Sequence, residues 1–163
     1  MVKMVDLETI KKEAMKELAR RNYADFFFYT HNGMKPLKHQ LYISPYLDRI
    51  SDGEQLFIIV ELPPQHGKST YITETFPTFY LAKNPDKLAM VVSYSEELYK
   101  KFGRKNRELF RLYSDALFNL KISTETASVS EWGIDGHLGQ LYCTSILGGA
   151  TGRGTDLLLL MTL

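Results

Sequence analysis

Apolar residues in the first fifty positions recur at three- and four-residue steps, which is the period of an α-helix. Over residues 6–29 this pattern puts one set of apolar side chains on a common face, namely Leu7, Ile10, Ala14 and Leu18. Residues 37–50 repeat it, but Pro45 interrupts the pattern, and proline removes an N–H and crowds the preceding turn. We therefore predict two N-terminal helices, the second kinked or split at Pro45.

After residue 55, runs of consecutive apolar residues alternate with stretches of helical period. The runs cover four segments: 56–62, 88–94, 140–146 and 157–160. Helices are predicted between them, over 68–82 with Pro77 inside and from about Ser95 to Phe118. Continuous apolar runs are typical of strands buried on both faces of a parallel sheet. The predicted fold class is α/β, a parallel sheet flanked by helices, with a helical lead-in over 1–52 and the α/β part over 53–163.

Composition limits the classes of protein without choosing among them. A length of 163 residues with 44% apolar and 24% charged residues suits one soluble globular domain. The net charge of +1 gives no global attraction to nucleic acid, so such a contact would need a local basic patch. Cys143 is the single cysteine, which excludes an intramolecular disulfide and suits a small buried side chain in a reducing compartment. No apolar run is long enough to span a membrane, and the charged N-terminus lacks a signal-peptide core.

The strongest candidate chemistry lies in ELPPQHGKST at residues 61–70, between a predicted strand and a predicted helix. A strand, a tight turn ending in Gly-Lys-Ser and a helix form the layout of a phosphate-binding loop. Unpaired backbone N–H groups at such a turn attract an anion, and Gly67 lets the backbone approach it closely. Lys68 adds a positive charge for the outer phosphates, and the Ser69 hydroxyl can ligate Mg²⁺.

The match to the full phosphate-loop pattern is incomplete. A glycine is expected five residues before Gly67, and Leu62 occupies that position. A chance Gly-Lys-Ser at an ordinary turn is the alternative, and the apolar run before it and the helix after it favour the phosphate loop. His66 lies inside the loop, where it either donates a hydrogen bond or fills space.

Two further features each allow two interpretations. Four cationic residues lie on one side of the helix after Ser95, namely Lys100, Arg104, Arg107 and Arg111. They either contact DNA phosphates or form a solvated face of the helix. The solvated face is favoured because no aromatic residues lie among them. Arg153, in the glycine-rich GGATGRGTD, either stabilises charge on a transferring phosphoryl group or is a plain surface arginine.

Several segments together resemble the ATPase portion of a phage terminase large subunit. They are HQLYISPYLDRI, LFIIVELPPQHGKST, ETFPTFYLAKNPDKLAMVVSYSEELYKKFGRKNR and GGATGRGTDLLLL, and they cover roughly residues 37–160. The most specific pieces are PPQHGKS, the SYS after the second strand, and TGRGTDLL. Loops of this family often lack the first glycine, which accounts for Leu62.

The resemblance implies an additional-strand, RecA-like P-loop NTPase that uses ATP and Mg²⁺ to thread double-stranded DNA into a procapsid. It implies as partners the portal, the terminase small subunit and further copies of the chain, in the cytoplasm of a host cell and not at a membrane. Lys68 and Arg153 would be catalytic, Ser69 would hold Mg²⁺, and Gln40 would read adenine. The nucleotide would be cradled by Gln65, His66, Gly67, Lys68, Ser69 and Thr70.

The sequence departs from the family after residue 160. Family members carry two acidic residues at the end of this strand, one supporting Mg²⁺ and one orienting water, whereas Met161-Thr162-Leu163 stand here. Codons for Ile-Asp-Asp-Pro, ATT-GAT-GAC-CCT, give Leu-Met-Thr-Leu when read one nucleotide later, and a one-base frameshift is therefore our hypothesis. We expect impaired hydrolysis, an absent nuclease domain and an incomplete sheet with an open, aggregation-prone edge. The alternatives are a small P-loop kinase of a metabolite and a non-functional frameshifted product.

Overall fold

The computed structural model describes residues 6–148 and 152–161 of the chain. The middle of the glycine-rich loop and the last two residues of the Leu-Met-Thr-Leu tail therefore lie outside the described residues. Helix α1 spans Leu7–Arg21 and helix α2 spans Tyr23–Thr30, so the prediction of one helix over 6–29 is wrong. Asn22 between them is extended, and its side chain accepts a hydrogen bond from Asp25 N at 3.0 Å. This cap begins a new helix where the apolar pattern alone continues the old one.

Helix α3 spans Lys38–Ser51 and runs unsplit through Pro45. Proline leaves the carbonyl four residues earlier without its helical donor. That residue, Leu41, is 49% exposed, so the carbonyl lies on a side of the helix that water reaches. The predicted second helix is confirmed, and the predicted split is not.

The helix predicted over 68–82 is interrupted. A π-helical turn, Ser69–Thr73, follows Lys68, and helix α4, Phe76–Lys83, begins after a break at Glu74 and Thr75. Pro77 lies in the first turn of α4, where its missing N–H has no helical acceptor to lose. Proline therefore favours a new helix start at this position over a bend within a longer helix.

The remaining elements form an α/β unit. They are β1 Leu88–Ser93, α5 Glu96–Phe118, β2 Ile122–Ala127, β3 Glu131–Ile134, β4 Gln140–Ser145 and β5 Leu157–Leu160. The strand order is β2-β3-β4-β1-β5, with β1 parallel to both β4 and β5. The long helix and the three strands predicted after residue 88 are confirmed.

The sheet is mixed, which corrects the predicted all-parallel sheet. Strands β2 and β3 pair antiparallel with each other, and β3 pairs antiparallel with β4. The sequence did not predict either strand: β2, ISTETA, is half-buried or exposed throughout and lacks a continuous apolar run, and β3, EWGI, is only four residues long and contains a glycine. Antiparallel strands with one wet face tolerate such polar sequences.

Residues 56–62, predicted as a strand buried on both faces, form no strand of the sheet. Phe57 is fully exposed and Ile59 is 89% exposed. High apolar content predicts burial, but it does not supply a neighbouring strand, and none of the described strands pairs with this segment.

The core lies between the helices and the sheet. An aromatic group joins α2, the π-helical turn and α4, and its members are Tyr23, Phe26, Phe27, Tyr71, Phe76 and Phe79. On the sheet, Trp132 packs against Phe110 of α5 with ring centroids 5.0 Å apart. Cys143 is buried as expected, and burial raises the pKa of its thiol to about 12. Among the described residues, no helix has the length and apolar content needed to cross a membrane.

Candidate functional site

The backbone between Pro63 and Thr70 forms a tight loop with two left-handed residues. Gln65 has φ +64° and Gly67 has φ +73°. A left-handed conformation is unfavourable for a residue with a side chain, and glycine adopts it at little cost. The loop therefore carries strain at Gln65 and avoids it at Gly67.

This loop contains a run of backbone N–H groups that have no hydrogen-bond partner in the described chain. None of the backbone N–H groups from Gln65 to Thr70 donates a hydrogen bond to another described group. The side-chain hydroxyls of Ser69 and Thr70 likewise make no hydrogen bond within the described chain. The backbone carbonyl oxygen of Thr70, in contrast, accepts a hydrogen bond from Thr75 Oγ1. Successive unpaired N–H groups in a turn form a concave site that attracts an anion. The loop has the donor set that a phosphate group requires.

The first turn of α3 holds the loop from one side. His39 Nε2 donates to His66 O at 2.9 Å, and Gln40 Nε2 donates to Gly67 O at 3.4 Å. Gln40 is 5% exposed, and its Oε1 accepts from Leu37 N at 2.8 Å. Both ends of the Gln40 amide are therefore engaged within the protein, one at the start of α3 and one at the loop.

The π-helical turn after the loop is anchored by buried polar contacts to α2, α3 and α5. Tyr71 is 1% exposed, its hydroxyl lies 2.6 Å from Ser44 Oγ on α3, and Tyr23 Oη donates to its carbonyl oxygen. Asn106 of α5, fully buried, donates from Nδ2 to Thr73 O at 2.8 Å. Glu74, 7% exposed, pairs with Lys101 at 2.8 Å. These contacts fix the position at which the loop ends.

Lys68 lines a cavity of about 480 Å³ between α3 and the 56–62 segment. Most of the wall is apolar or aromatic, with contributions from Ile43, Tyr46 and Ile72. His39, Gln40 and Lys68 are the polar groups at the loop end of the cavity. Binding sites for small molecules commonly combine such an apolar wall with a few polar groups at one end.

Arg153 lies in a different part of the molecule. Its guanidinium stacks over the Tyr142 ring at 4.0 Å and donates to Glu131 Oε1 at 2.9 Å. It borders a second cavity of about 250 Å³, next to Leu88 and Gln140, the first residues of β1 and β4. In this structure the arginine is therefore held at the amino-terminal ends of these strands, by contacts to β3 and β4.

The structure thus brings together most, but not all, of the residues selected from sequence. Gln40 contacts the loop formed by Gln65, His66, Gly67, Lys68, Ser69 and Thr70, whereas Arg153 shares no cavity with it. Sequence reasoning missed His39, Tyr71 and Asn106, which hold the loop and the turn after it. Only the adjacency of His39 to Gln40 offered a signal, since Tyr71 and Asn106 act through contacts distant in sequence.

Comparison with known families gives one match. The family described as terminase large subunit, T4likevirus-type, N-terminal, matches residues 59–160 of the chain. The matched range includes the loop, helix α5 and strand β5. No curated protein and no solved structure matches the chain.

Proposed function

The chain belongs to the family of T4likevirus-type terminase large subunits, in their N-terminal part, and from this membership we propose that it binds ATP at the 63–70 loop. In this proposal the chain is the P-loop NTPase portion of a DNA-packaging motor, which couples ATP hydrolysis to the movement of double-stranded DNA into a procapsid. Portal, small subunit and further copies of the chain are the partners proposed with it.

One observation carries the proposal. Six consecutive residues, Gln65 to Thr70, leave their N–H groups without a partner in the described chain, next to the side chain of Lys68. A run of free N–H groups beside a lysine is suited to the charge and the size of a polyphosphate. The chain's net charge of only +1 leaves local attraction of this kind as the source of affinity for an anion.

The residues have separate roles in the proposal. Backbone N–H groups from Gln65 to Thr70 hold the phosphates, and Lys68 offsets the charge of the outer ones. The hydroxyl of Ser69 is the group that would ligate Mg²⁺, which neutralises phosphate charge when bound. Gln40 is proposed to position the loop through its hydrogen bond to Gly67 O. To bind adenine directly, its amide would have to give up one of its present hydrogen bonds.

Titration with a fluorescent ATP analogue tests nucleotide binding. We expect saturable, Mg²⁺-dependent binding that Lys68→Ala weakens by tenfold or more, since roughly 1.4 kcal/mol of lost charge interaction corresponds to that factor. Lys11→Ala is the matched control because Lys11 is an exposed lysine of α1 away from the loop, and its removal should leave affinity unchanged. Absent binding, or equal effects of the two variants, contradicts the phosphate-loop assignment.

Hydrolysis is proposed to be slow. Met161 follows β5 in the position where the family resemblance expects an acidic residue, and a thioether neither anchors Mg²⁺ nor accepts a proton from water. Steady-state phosphate release should therefore stay several orders of magnitude below that of an intact motor. Release at the rate of an intact motor contradicts this part of the proposal and leaves the binding part standing.

A further inference from the structure

Two histidines at the phosphate loop each bind one of its carbonyl groups. His66 lies in the loop, and its Nδ1 is 2.8 Å from the carbonyl oxygen of Pro64, two residues earlier. His39 lies in the first turn of α3, and its Nε2 is 2.9 Å from the carbonyl oxygen of His66. A carbonyl oxygen only accepts hydrogen bonds, so both of these ring nitrogens must carry a proton. The geometry therefore requires Nδ1–H on His66 and Nε2–H on His39.

Each of these hydrogen bonds fixes the direction of a backbone N–H group as well as that of a carbonyl. A peptide unit is planar and trans, so its C=O and its N–H point in opposite directions. The carbonyl of Pro64 belongs to the same peptide unit as Gln65 N–H. The carbonyl of His66 belongs to the same unit as Gly67 N–H. Neither N–H group has a partner in the described chain, so the two imidazoles orient two free donors without binding them.

The backbone conformation of the loop explains why it needs support at both places. Gln65 has φ +64°, which is unfavourable for a residue with a side chain, and the hydrogen bond from His66 to Pro64 O spans it. Gly67 has φ +73°, and without a Cβ it could adopt many other conformations. The hydrogen bond from His39 restricts the peptide unit that leads into Gly67. One imidazole therefore stabilises a strained residue, and the other restricts a permissive one.

We propose that His39 and His66 are positioning residues of the phosphate loop, held in opposite tautomers, and that each aims one backbone N–H group at a polyphosphate. This role rests on the proposed function, because the N–H groups need a phosphate to bind. Neither histidine contacts the ligand. His39 acts through Gly67 N–H, and His66 acts through Gln65 N–H.

The next peptide unit of the loop does not depend on either histidine. Gly67 O accepts hydrogen bonds from Gln40 Nε2 at 3.4 Å and from Tyr71 N at 2.9 Å, and these contacts orient Lys68 N–H. Removal of one imidazole should therefore release one N–H group and leave the rest of the loop in place. Its effect on affinity should be no larger than that of one hydrogen bond.

Competition by inorganic tripolyphosphate measures the phosphate part of binding, because this probe has neither base nor sugar. The probe displaces the fluorescent ATP analogue, and its inhibition constant reports on the loop. His39→Ala and His66→Ala should each weaken tripolyphosphate binding about three- to tenfold, which is the equivalent of one hydrogen bond. His137→Ala is the matched control, because His137 is an exposed histidine between β3 and β4 and should leave the constant unchanged.

Amide side chains separate positioning from a general effect of losing the ring. A glutamine amide carries its N–H donor close to the place of Nε2 in histidine, and an asparagine amide carries it close to the place of Nδ1. His39→Gln and His66→Asn should therefore restore affinity to within about twofold of the unaltered chain. The exchanged pair, His39→Asn and His66→Gln, misplaces the donor and should bind as weakly as the alanine variants.

The tautomers can be measured without any ligand. Long-range ¹H–¹⁵N correlation spectra, recorded at a mildly alkaline pH where imidazoles are neutral, distinguish a protonated ring nitrogen from an unprotonated one. The spectrum should show Nε2–H for His39 and Nδ1–H for His66. The two alanine variants assign the signals, since each removes one set.

The outcomes separate this role from the proposed function. Absent binding of the ATP analogue, or an unchanged affinity in Lys68→Ala, overturns both. Binding that depends on Lys68 but is as strong in His39→Ala or His66→Ala as in His137→Ala overturns the positioning role alone. That role is also overturned if the exchanged amides restore affinity as well as the matched ones, or if the two rings share one tautomer.

Discussion

Single residues decide the shape of the phosphate loop, and Gly67 does so for two reasons. Its φ of +73° is costly for any residue with a side chain. A Cβ at this position would also lie 2.8 Å from Nε2 of Gln40. Gln40 has little room to move away, because it is buried and bonded at both ends of its amide. Backbone conformation and tertiary contact therefore both require glycine here.

Gly67→Ala should lower the free energy of unfolding by about 2–3 kcal/mol, from left-handed strain plus the displaced Gln40 amide. Urea unfolding followed by circular dichroism measures the change. Gly53→Ala is the matched control, since Gly53 has φ +97° but no atom within 4 Å of the added Cβ. The control should cost only about 1–2 kcal/mol. Equal losses in the two variants would show that the Gln40 contact contributes nothing.

At the scale of elements, a buried polar residue of α5 bonds both helical pieces that follow the loop. Asn106 bonds the last residue of the π-helical turn through Thr73 O and the first turn of α4 through Thr78 N, at 2.8 and 3.1 Å. Two backbone groups at the break between the helical pieces, Thr73 O and Thr78 N, therefore have a hydrogen-bond partner inside the core. This arrangement lets a short turn after the loop adopt π-helical geometry, which is rare and frequent at functional sites.

Asn106→Ala should destabilise the protein by about 2–3 kcal/mol, because it leaves the buried Thr73 O without a donor and removes one of the two acceptors of Thr78 N. The measurement is the midpoint and slope of urea unfolding. Arg104→Ala, two residues away on the exposed side of α5, should change the free energy by less than about 0.5 kcal/mol. A loss under 1 kcal/mol for Asn106→Ala would mean that water or local rearrangement replaces its hydrogen bonds.

At the scale of the whole molecule, two of the places where apolar surface remains uncovered are the edge of β5 and the 56–62 segment. The outer edge of β5 has no partner among the described strands, and Leu158 and Leu160 are more than half exposed. The 56–62 segment is the second place, with Phe57 and Ile59 in solvent. Apolar area left in water does not contribute to the free energy of folding.

We expect thermal unfolding of the isolated chain at or below ~65 °C, within or under the range of ordinary mesophilic domains. Differential scanning calorimetry at low protein concentration measures it without interference from association. A cooperative transition well above ~65 °C would mean that the exposed segments cost the fold little.

The features that the sequence by itself determined are those that depend on residues close together along the chain. Strands β1, β4 and β5 and helix α5 follow from their own residues, because each strand lies within an apolar run of the sequence and the helix has one apolar face. The sequence also predicted the loop at Gly67-Lys68-Ser69 and the family resemblance, since both depend on residues adjacent along the chain. The match over residues 59–160 confirms the resemblance.

Only the tertiary structure decided how these pieces meet. The apolar run at 56–62 lies outside the sheet because pairing requires a neighbour, which no property of the run itself supplies. The hydrogen bonds of His39 and Asn106 to the loop and the following turn join residues 27 and 33 positions apart. Arg153 is held by Glu131 and Tyr142 on strands that its own sequence neighbourhood does not reveal. Sequence specifies the chemistry of each side chain, and packing between distant elements specifies which of those side chains share a site.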